Sequence, residues 1–156
     1  MNRANQILYA LLIVFVGIQF IRPARNLGGQ VLPTDFVNTY TIPDSVTALV
    51  RGACYDCHSD NTSYPWYSNI QPVAWFIARD VNNGKAKLNF SDFGSMSNRK
   101  QVSKLQEIEM QLKSGSMPLA QYKIMHKAAR LSQNDIRLLI EWIEQTKDSL
   151  AQRRKS

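Results

Sequence analysis

The chain has 156 residues, 44 % of them hydrophobic, and a formal net charge of +7. This length suits one domain with a short appendage, and the composition is that of a globular protein. No basic stretch is interleaved with stacking aromatic residues, which argues against nucleic-acid binding. The chain has two cysteines, which cannot form a disulfide framework for a domain of this size.

The first element in chain order is an apolar run at residues 7–21. Extended back to Ala4, it has about 18 residues, close to the roughly 20 that span a bilayer as a helix. Arg3 favours a cytoplasmic amino terminus, and no small-residue cleavage site follows the run. Residues 1–22 are therefore predicted to be an uncleaved, single-pass anchor in the cytoplasmic membrane, with the rest of the chain on the periplasmic side. A cleaved signal peptide is the alternative.

The remainder divides into a predicted linker at residues 23–40, a folded domain at residues 41–148 and a basic tail at residues 149–156. Glycine and proline punctuate the linker without periodicity. In the domain, apolar residues recur at helical spacing in four stretches, and no strand pattern is visible. The predicted fold class is all-α, a bundle of about four short helices. These helices cover about residues 43–53, 72–84, 98–113 and 133–147.

Local signals set the predicted ends of these helices. Pro43 suits a first turn, and Asp44 favours the positive end of the helix dipole. Gly84, after two asparagines, predicts the end of the second helix. Ser132 with Asp135 resembles a capping box at the start of the last helix.

The chemistry is concentrated in the sequence Cys54-Tyr55-Asp56-Cys57-His58. C-x-x-C-H is the signature of c-type haem attachment. The two thiols add across the two vinyl groups of haem, and the adjacent histidine faces the iron. The motif predicts one covalent haem c, bound through Cys54 and Cys57, with His58 as the proximal iron ligand.

Two other uses of the C-x-x-C spacing compete with this interpretation. A thioredoxin-like dithiol expects a βαβ pattern, which is not visible here. A structural zinc site needs four ligands, and the chain has no second cysteine pair to supply them.

A second iron ligand is expected well downstream. Small cytochromes c often place it at a methionine followed by proline, in the loop before the last helix, and Met117-Pro118 occupies that position here. Met117 is the predicted sixth ligand, and its thioether would raise the reduction potential of the iron. His126 is the alternative sixth ligand, because it is the other histidine of the chain.

An aromatic cluster follows the motif at Tyr64, Trp66 and Tyr67. Such rings are suited to cover the edge of a haem, with polar tips toward its propionates. Plain core packing is a compatible explanation for the same residues.

The chain resembles the bacterial haem-binding-domain family of small, exported, cytochrome c-like proteins. The resemblance spans about residues 40–146. It implies covalent haem c and a mainly helical, cytochrome c-like fold, and it supplies neither a reaction nor a partner. The residues that carry it are Cys54 to Ser59, Tyr64 to Tyr67, Pro72-Val73, Trp75, Asp80-Val81, Asn89 to Phe93, Met117-Pro118, Tyr122, His126 and Leu131-Ser132.

The sequence as a whole predicts a membrane-anchored, single-haem electron carrier with an unidentified redox partner protein. With His58 and Met117 both on the iron, no coordination site is open, which favours electron transfer over substrate turnover. The first alternative is a haem enzyme or a redox or gas sensor with an open or displaceable sixth site and His126 as a distal group. The second is a C-x-x-C redox or interaction protein without haem.

Overall fold

The structure, a computed structural model, describes residues 2–153. Residues 154–156 of the predicted basic tail lie outside the described residues. The described chain has eight α-helices and no β-strand. Three short 3-10 turns lie at Trp66–Asn69, Phe93–Ser95 and Lys127–Ala129. The helices are α1 (Arg3–Ile18), α2 (Phe36–Thr39), α3 (Asp44–Ala53), α4 (Tyr55–His58), α5 (Val73–Lys87), α6 (Asn98–Lys113), α7 (Ala120–Met125) and α8 (Gln133–Arg153).

The predicted all-α class is confirmed, and the four predicted helices correspond to α3, α5, α6 and α8. The number of helices is larger than predicted because α2, α4 and α7 have only four to six residues each, too few to show a periodic pattern. The predicted end of the second helix at Gly84 is wrong, since α5 continues to Lys87. The capping box is present: the Ser132 amide donates to Asp135 Oδ2 at 2.8 Å, and the Asp135 amide donates to Ser132 Oγ at 3.2 Å.

The predicted membrane anchor at residues 1–22 is wrong. Helix α1 has 16 residues, which at 1.5 Å per residue is about 24 Å, less than the roughly 30 Å of a bilayer's hydrocarbon core. Among residues 2–153 there is no helix with the length and apolarity to cross a membrane. The single-pass periplasmic placement, which was inferred from this anchor, is overturned with it.

Helix α1 ends early because the residues after it bond to the folded part of the chain. The Gln19 side chain donates to the Gln71 carbonyl at 3.2 Å and accepts from the Gln71 amide at 2.9 Å. The Trp75 indole N–H donates to the Ile21 carbonyl at 2.9 Å. These bonds hold residues 19–21 against the beginning of α5.

The hydrophobic core is organised around the ring of Phe36 in α2. This residue is 2 % exposed, and its ring centroid lies 4.9 Å from those of Phe90 and Phe93 and 5.5 Å from that of Trp142. Aromatic pairs at these separations prefer the tilted and edge-on arrangements found here. The segment predicted as a linker therefore contributes a central core residue.

Asn26 joins another part of the same segment to the loop after the C-x-x-C-H motif. Its side-chain amide donates to the Ser59 carbonyl at 2.8 Å and to Thr62 Oγ1 at 2.9 Å, and accepts from Lys85 Nζ at 2.7 Å. The Thr62 hydroxyl in turn donates to the Asp56 carbonyl at 2.6 Å. Asn26, which precedes this loop by more than thirty positions, thus holds the loop in place.

Helices α6 and α8 pack side by side, and one carboxylate forms ion pairs with a lysine of each helix. Glu109 of α6, with a side chain that is 12 % exposed, accepts from Lys113 of the same helix and from Lys147 of α8. These two ammonium groups lower the pKa of Glu109 from its ordinary value. A lowered carboxyl pKa adds stability above the pKa of the unfolded chain, and this contribution is lost as the pH falls through the folded value.

Replacing Glu109 with Gln is expected to reduce stability at pH 7 by about 1 kcal/mol, because both lysines lose their anionic partner. The difference from the wild type should shrink as the pH falls below 4.5, the ordinary pKa of the carboxyl, and vanish once Glu109 is protonated in the folded wild type. Urea unfolding at a series of pH values measures this. Glu144→Gln is the control, since that carboxylate is 53 % exposed and 3.9 Å from Lys113. A pH-independent deficit in Glu109→Gln would contradict the assignment.

Candidate cofactor site

The C-x-x-C-H residues form a single helical turn that follows a break in the backbone. Helix α3 ends at Ala53, Cys54 leaves the helical conformation (φ −127°, ψ −38°), and α4 begins at Tyr55. The His58 amide donates to the Cys54 carbonyl at 3.0 Å, which closes the turn. Cys54, Cys57 and His58 stand at positions i, i+3 and i+4, the spacing that brings side chains to one face of a helix.

Helix α5 lies directly on this turn, and the contact is made at Gly84. A Cβ atom added to Gly84 would lie 3.1 Å from the carbonyl carbon of Cys57 and closer still to its oxygen. Any side chain here would therefore push α5 away from α4. Gly84 allows the backbones of the two helices to approach.

The segment after α5 fixes the orientation of the His58 ring. His58 Nδ1 is 3.0 Å from the Leu88 carbonyl oxygen, and the Phe90 amide donates to the His58 carbonyl at 2.6 Å. Because a carbonyl only accepts, Nδ1 carries the proton, which leaves the lone pair of the neutral ring on Nε2. Burial lowers the pKa of His58 and favours this neutral form.

Two neighbouring cavities open along this face. The smaller cavity, about 220 Å³, is lined by Cys54, Cys57, His58 and Met117 among others. The larger cavity, about 520 Å³, is lined by Cys57, Tyr67, Phe76, Tyr122 and His126 among others. Five residues border both cavities, which places them in one cleft between α4, α5 and α7. These shared residues are Cys57, Asp80, Leu119, Gln121 and Tyr122.

The two thiols are free and poorly suited to disulfide exchange. Desolvation raises the pKa of Cys54 to about 12 and that of Cys57 to about 11, with a further contribution to Cys57 from Asp56 and Asp80. A redox dithiol needs the opposite, a thiol whose pKa is lowered by nearby positive charge. The described residues also contain no cluster of three or more His, Cys, Asp or Glu side chains that could hold a metal ion.

The three predicted haem-packing aromatics lie in different surroundings. The Tyr67 ring lines the larger cavity. The Trp66 ring is 73 % exposed, and it meets the Tyr67 ring edge-on at 5.8 Å. The Tyr64 hydroxyl accepts from the Asn26 amide at 2.9 Å. Their contact with a cofactor stays a prediction.

Sequence reasoning missed several residues that shape the site. Asp56, inside the motif, accepts from the Tyr122 hydroxyl at 2.6 Å and from the Ser63 amide at 3.0 Å. This ties α7 and the following loop to the C-x-x-C turn. Asp56 and Tyr122 were visible in the sequence without a role. No sequence pattern could indicate the role of the Leu88 carbonyl, because every residue has a backbone carbonyl.

The family model of the haem-binding domain matches residues 13–145. The chain belongs to this family. No curated protein and no solved structure is significantly similar to it.

The donors in the cleft suit the cofactor of the haem-binding domain family. Haem needs an apolar cavity, and the larger cavity, which adjoins the one lined by Cys54, His58 and Met117, has an extensive apolar lining. Its iron binds a neutral imidazole whose other ring nitrogen is hydrogen-bonded to the protein, and the His58–Leu88 pair has this form. Chemically, the residues present fit the group.

Replacing Gly84 with Ala is expected to destabilise the protein by about 1–3 kcal/mol, because the added methyl group overlaps the Cys57 carbonyl. Alanine is about 1 kcal/mol better than glycine within a helix, so a loss of stability reports the contact and not helix propensity. Denaturant unfolding measures it. The control is Gly17→Ala in α1, where an added Cβ meets nothing within 4 Å. Unchanged or increased stability of Gly84→Ala would show that α5 does not depend on this approach.

Proposed function

We propose that this member of the haem-binding domain family holds one haem covalently through Cys54 and Cys57 and carries single electrons. His58 and Met117 are the proposed iron ligands. The observation that supports this assignment is that both thiols, His58 and Met117 line the same smaller cavity. When bound, haem supplies the exchange of one electron between ferric and ferrous iron.

The residues of this chain have distinct parts in that function. The two thiols hold the cofactor, and the Leu88 carbonyl keeps the His58 ring in the tautomer whose Nε2 can bind a metal. Gly84 brings α5 onto the C-x-x-C turn. Pro118 is buried beside Met117, which restricts the loop that would present the thioether. As an iron ligand, the Met117 thioether would favour the reduced iron relative to a second imidazole.

The covalent attachment is tested by replacing both cysteines with serine. The wild type, produced in cells that mature cytochromes c, should give a haem-stained band after denaturing electrophoresis, and the variant Cys54→Ser/Cys57→Ser should give none, because thioether bonds survive denaturation. Immunoblotting of the same gel controls for the amount of protein. An unstained wild-type band from a protein that binds haem in solution would mean that the haem is held without thioether bonds.

The sixth ligand is tested by the near-infrared spectrum of the oxidised protein. The wild type should show the weak band of methionine–iron ligation, Met117→Ala should lose it, and its reduction potential should fall. Met110→Ala is the control, because this side chain is 54 % exposed on α6. A band that persists in Met117→Ala would remove Met117 from the iron.

A haem-based sensor or enzyme is the second candidate, and the larger cavity with His126 and Tyr67 on its wall favours it. The two functions differ in their response to carbon monoxide. Rapid, stoichiometric binding to the reduced wild type would support an open or displaceable sixth site. Absence of binding would support the electron carrier.

A further inference from the structure

Both ring nitrogens of His126 are engaged in hydrogen bonds. His126 follows the last residue of α7, and its Nδ1 is 3.0 Å from the Tyr122 carbonyl oxygen. Its Nε2 is 3.2 Å from the Tyr67 hydroxyl. Because a carbonyl only accepts, Nδ1 carries the proton of the neutral ring, and Tyr67 donates to the lone pair on Nε2.

This is the same arrangement that orients His58. In each case the backbone carbonyl holds the proton on Nδ1 and leaves the lone pair on Nε2, the nitrogen that would bind iron. The Tyr122 carbonyl, four residues before His126, thus leaves Nε2 of His126 with the lone pair that a metal ligand needs. The two histidines differ at Nε2, because Nε2 of His126 accepts a hydrogen bond from the Tyr67 hydroxyl.

The His126 ring is also held next to the C-x-x-C turn. It stacks on the Tyr122 ring with a centroid separation of 3.9 Å and an interplanar angle of 16°. The Tyr122 hydroxyl donates to Asp56, which lies between the two cysteines. Cys57, Tyr67 and His126 line the same larger cavity. His126 and Met117 thus line adjoining cavities of one cleft, and Cys57 borders both cavities.

We propose that Tyr67 is a positioning residue that selects Met117 as the sixth ligand by engaging Nε2 of His126. The inference rests on the proposed function, since it needs haem on Cys54 and Cys57. Removing one hydroxyl donor from a partly buried acceptor shifts the balance between engaged and iron-bound His126 by about tenfold. The hydroxyl of Tyr67 therefore sets the ligand pair, and with it the reduction potential.

The test is Tyr67→Phe, which removes the donor and keeps the ring. The oxidised variant should lose near-infrared methionine intensity, gain the electron paramagnetic resonance signal of low-spin iron with two imidazoles, and have a lower reduction potential. The double variant Tyr67→Phe/His126→Ala should recover the methionine band. Tyr40→Phe is the matched control, because that hydroxyl donates to Gln101 Oε1 at 2.5 Å and Tyr40 borders neither cavity, and it should keep the wild-type spectrum.

The other possible outcomes would contradict the role of Tyr67, the Met117 assignment or the covalent attachment. An unchanged band and potential in Tyr67→Phe overturn the role of Tyr67 and leave the proposed function intact. Loss of the band in Tyr67→Phe without recovery in the double variant also overturns it, since the effect would then not pass through His126. A wild type that already shows two-imidazole iron overturns both this inference and the Met117 assignment. An unstained wild-type chain instead overturns the covalent attachment itself.

Discussion

The close approach of α5 to α4 at Gly84 is the constraint on which the site depends. Because no side chain separates the backbones there, the residues that follow α5 reach the C-x-x-C-H turn. The Leu88 carbonyl bonds to the His58 ring, and the Phe90 amide donates to the His58 carbonyl. The Phe90 ring stacks on Tyr55 of α4 at 5.2 Å and also packs against Phe36 in the aromatic core. The absence of a side chain at Gly84 thereby lets the C-x-x-C-H turn connect to the hydrophobic core.

The same turn is held from two further directions. Asn26, far upstream, binds the loop that follows the motif, and Tyr122, far downstream, bonds to Asp56 within it. A four-residue helix such as α4 is not stable by itself, so its geometry comes from these partners. Residues outside the turn therefore hold the two thiols and the imidazole in place. This is the preorganisation that a ligand site needs.

Prediction succeeded where the signal is local and failed where it depends on distant parts of the chain. Helices α3, α5, α6 and α8 and the Ser132–Asp135 cap were visible because periodicity and capping act over a few residues. Gly84 was misjudged as a helix stop, since glycine favours that position, but here it lies inside α5 and makes room for another helix. The apolar run at residues 7–21 suggested a membrane span from hydropathy alone, whereas the structure ends its helix at Ile18.

The sequence by itself determined the all-α class, the positions of the main helices and the family to which the chain belongs, because those features are written in local patterns and in the motif Cys54 to His58. Only the tertiary structure decided which side chains share a cavity. It brought Met117 to the cavity of His58, placed a backbone carbonyl beside Nδ1 of both histidines and gave Tyr67 its partner. Such pairings depend on how helices distant in the chain pack together, and no local pattern encodes that packing.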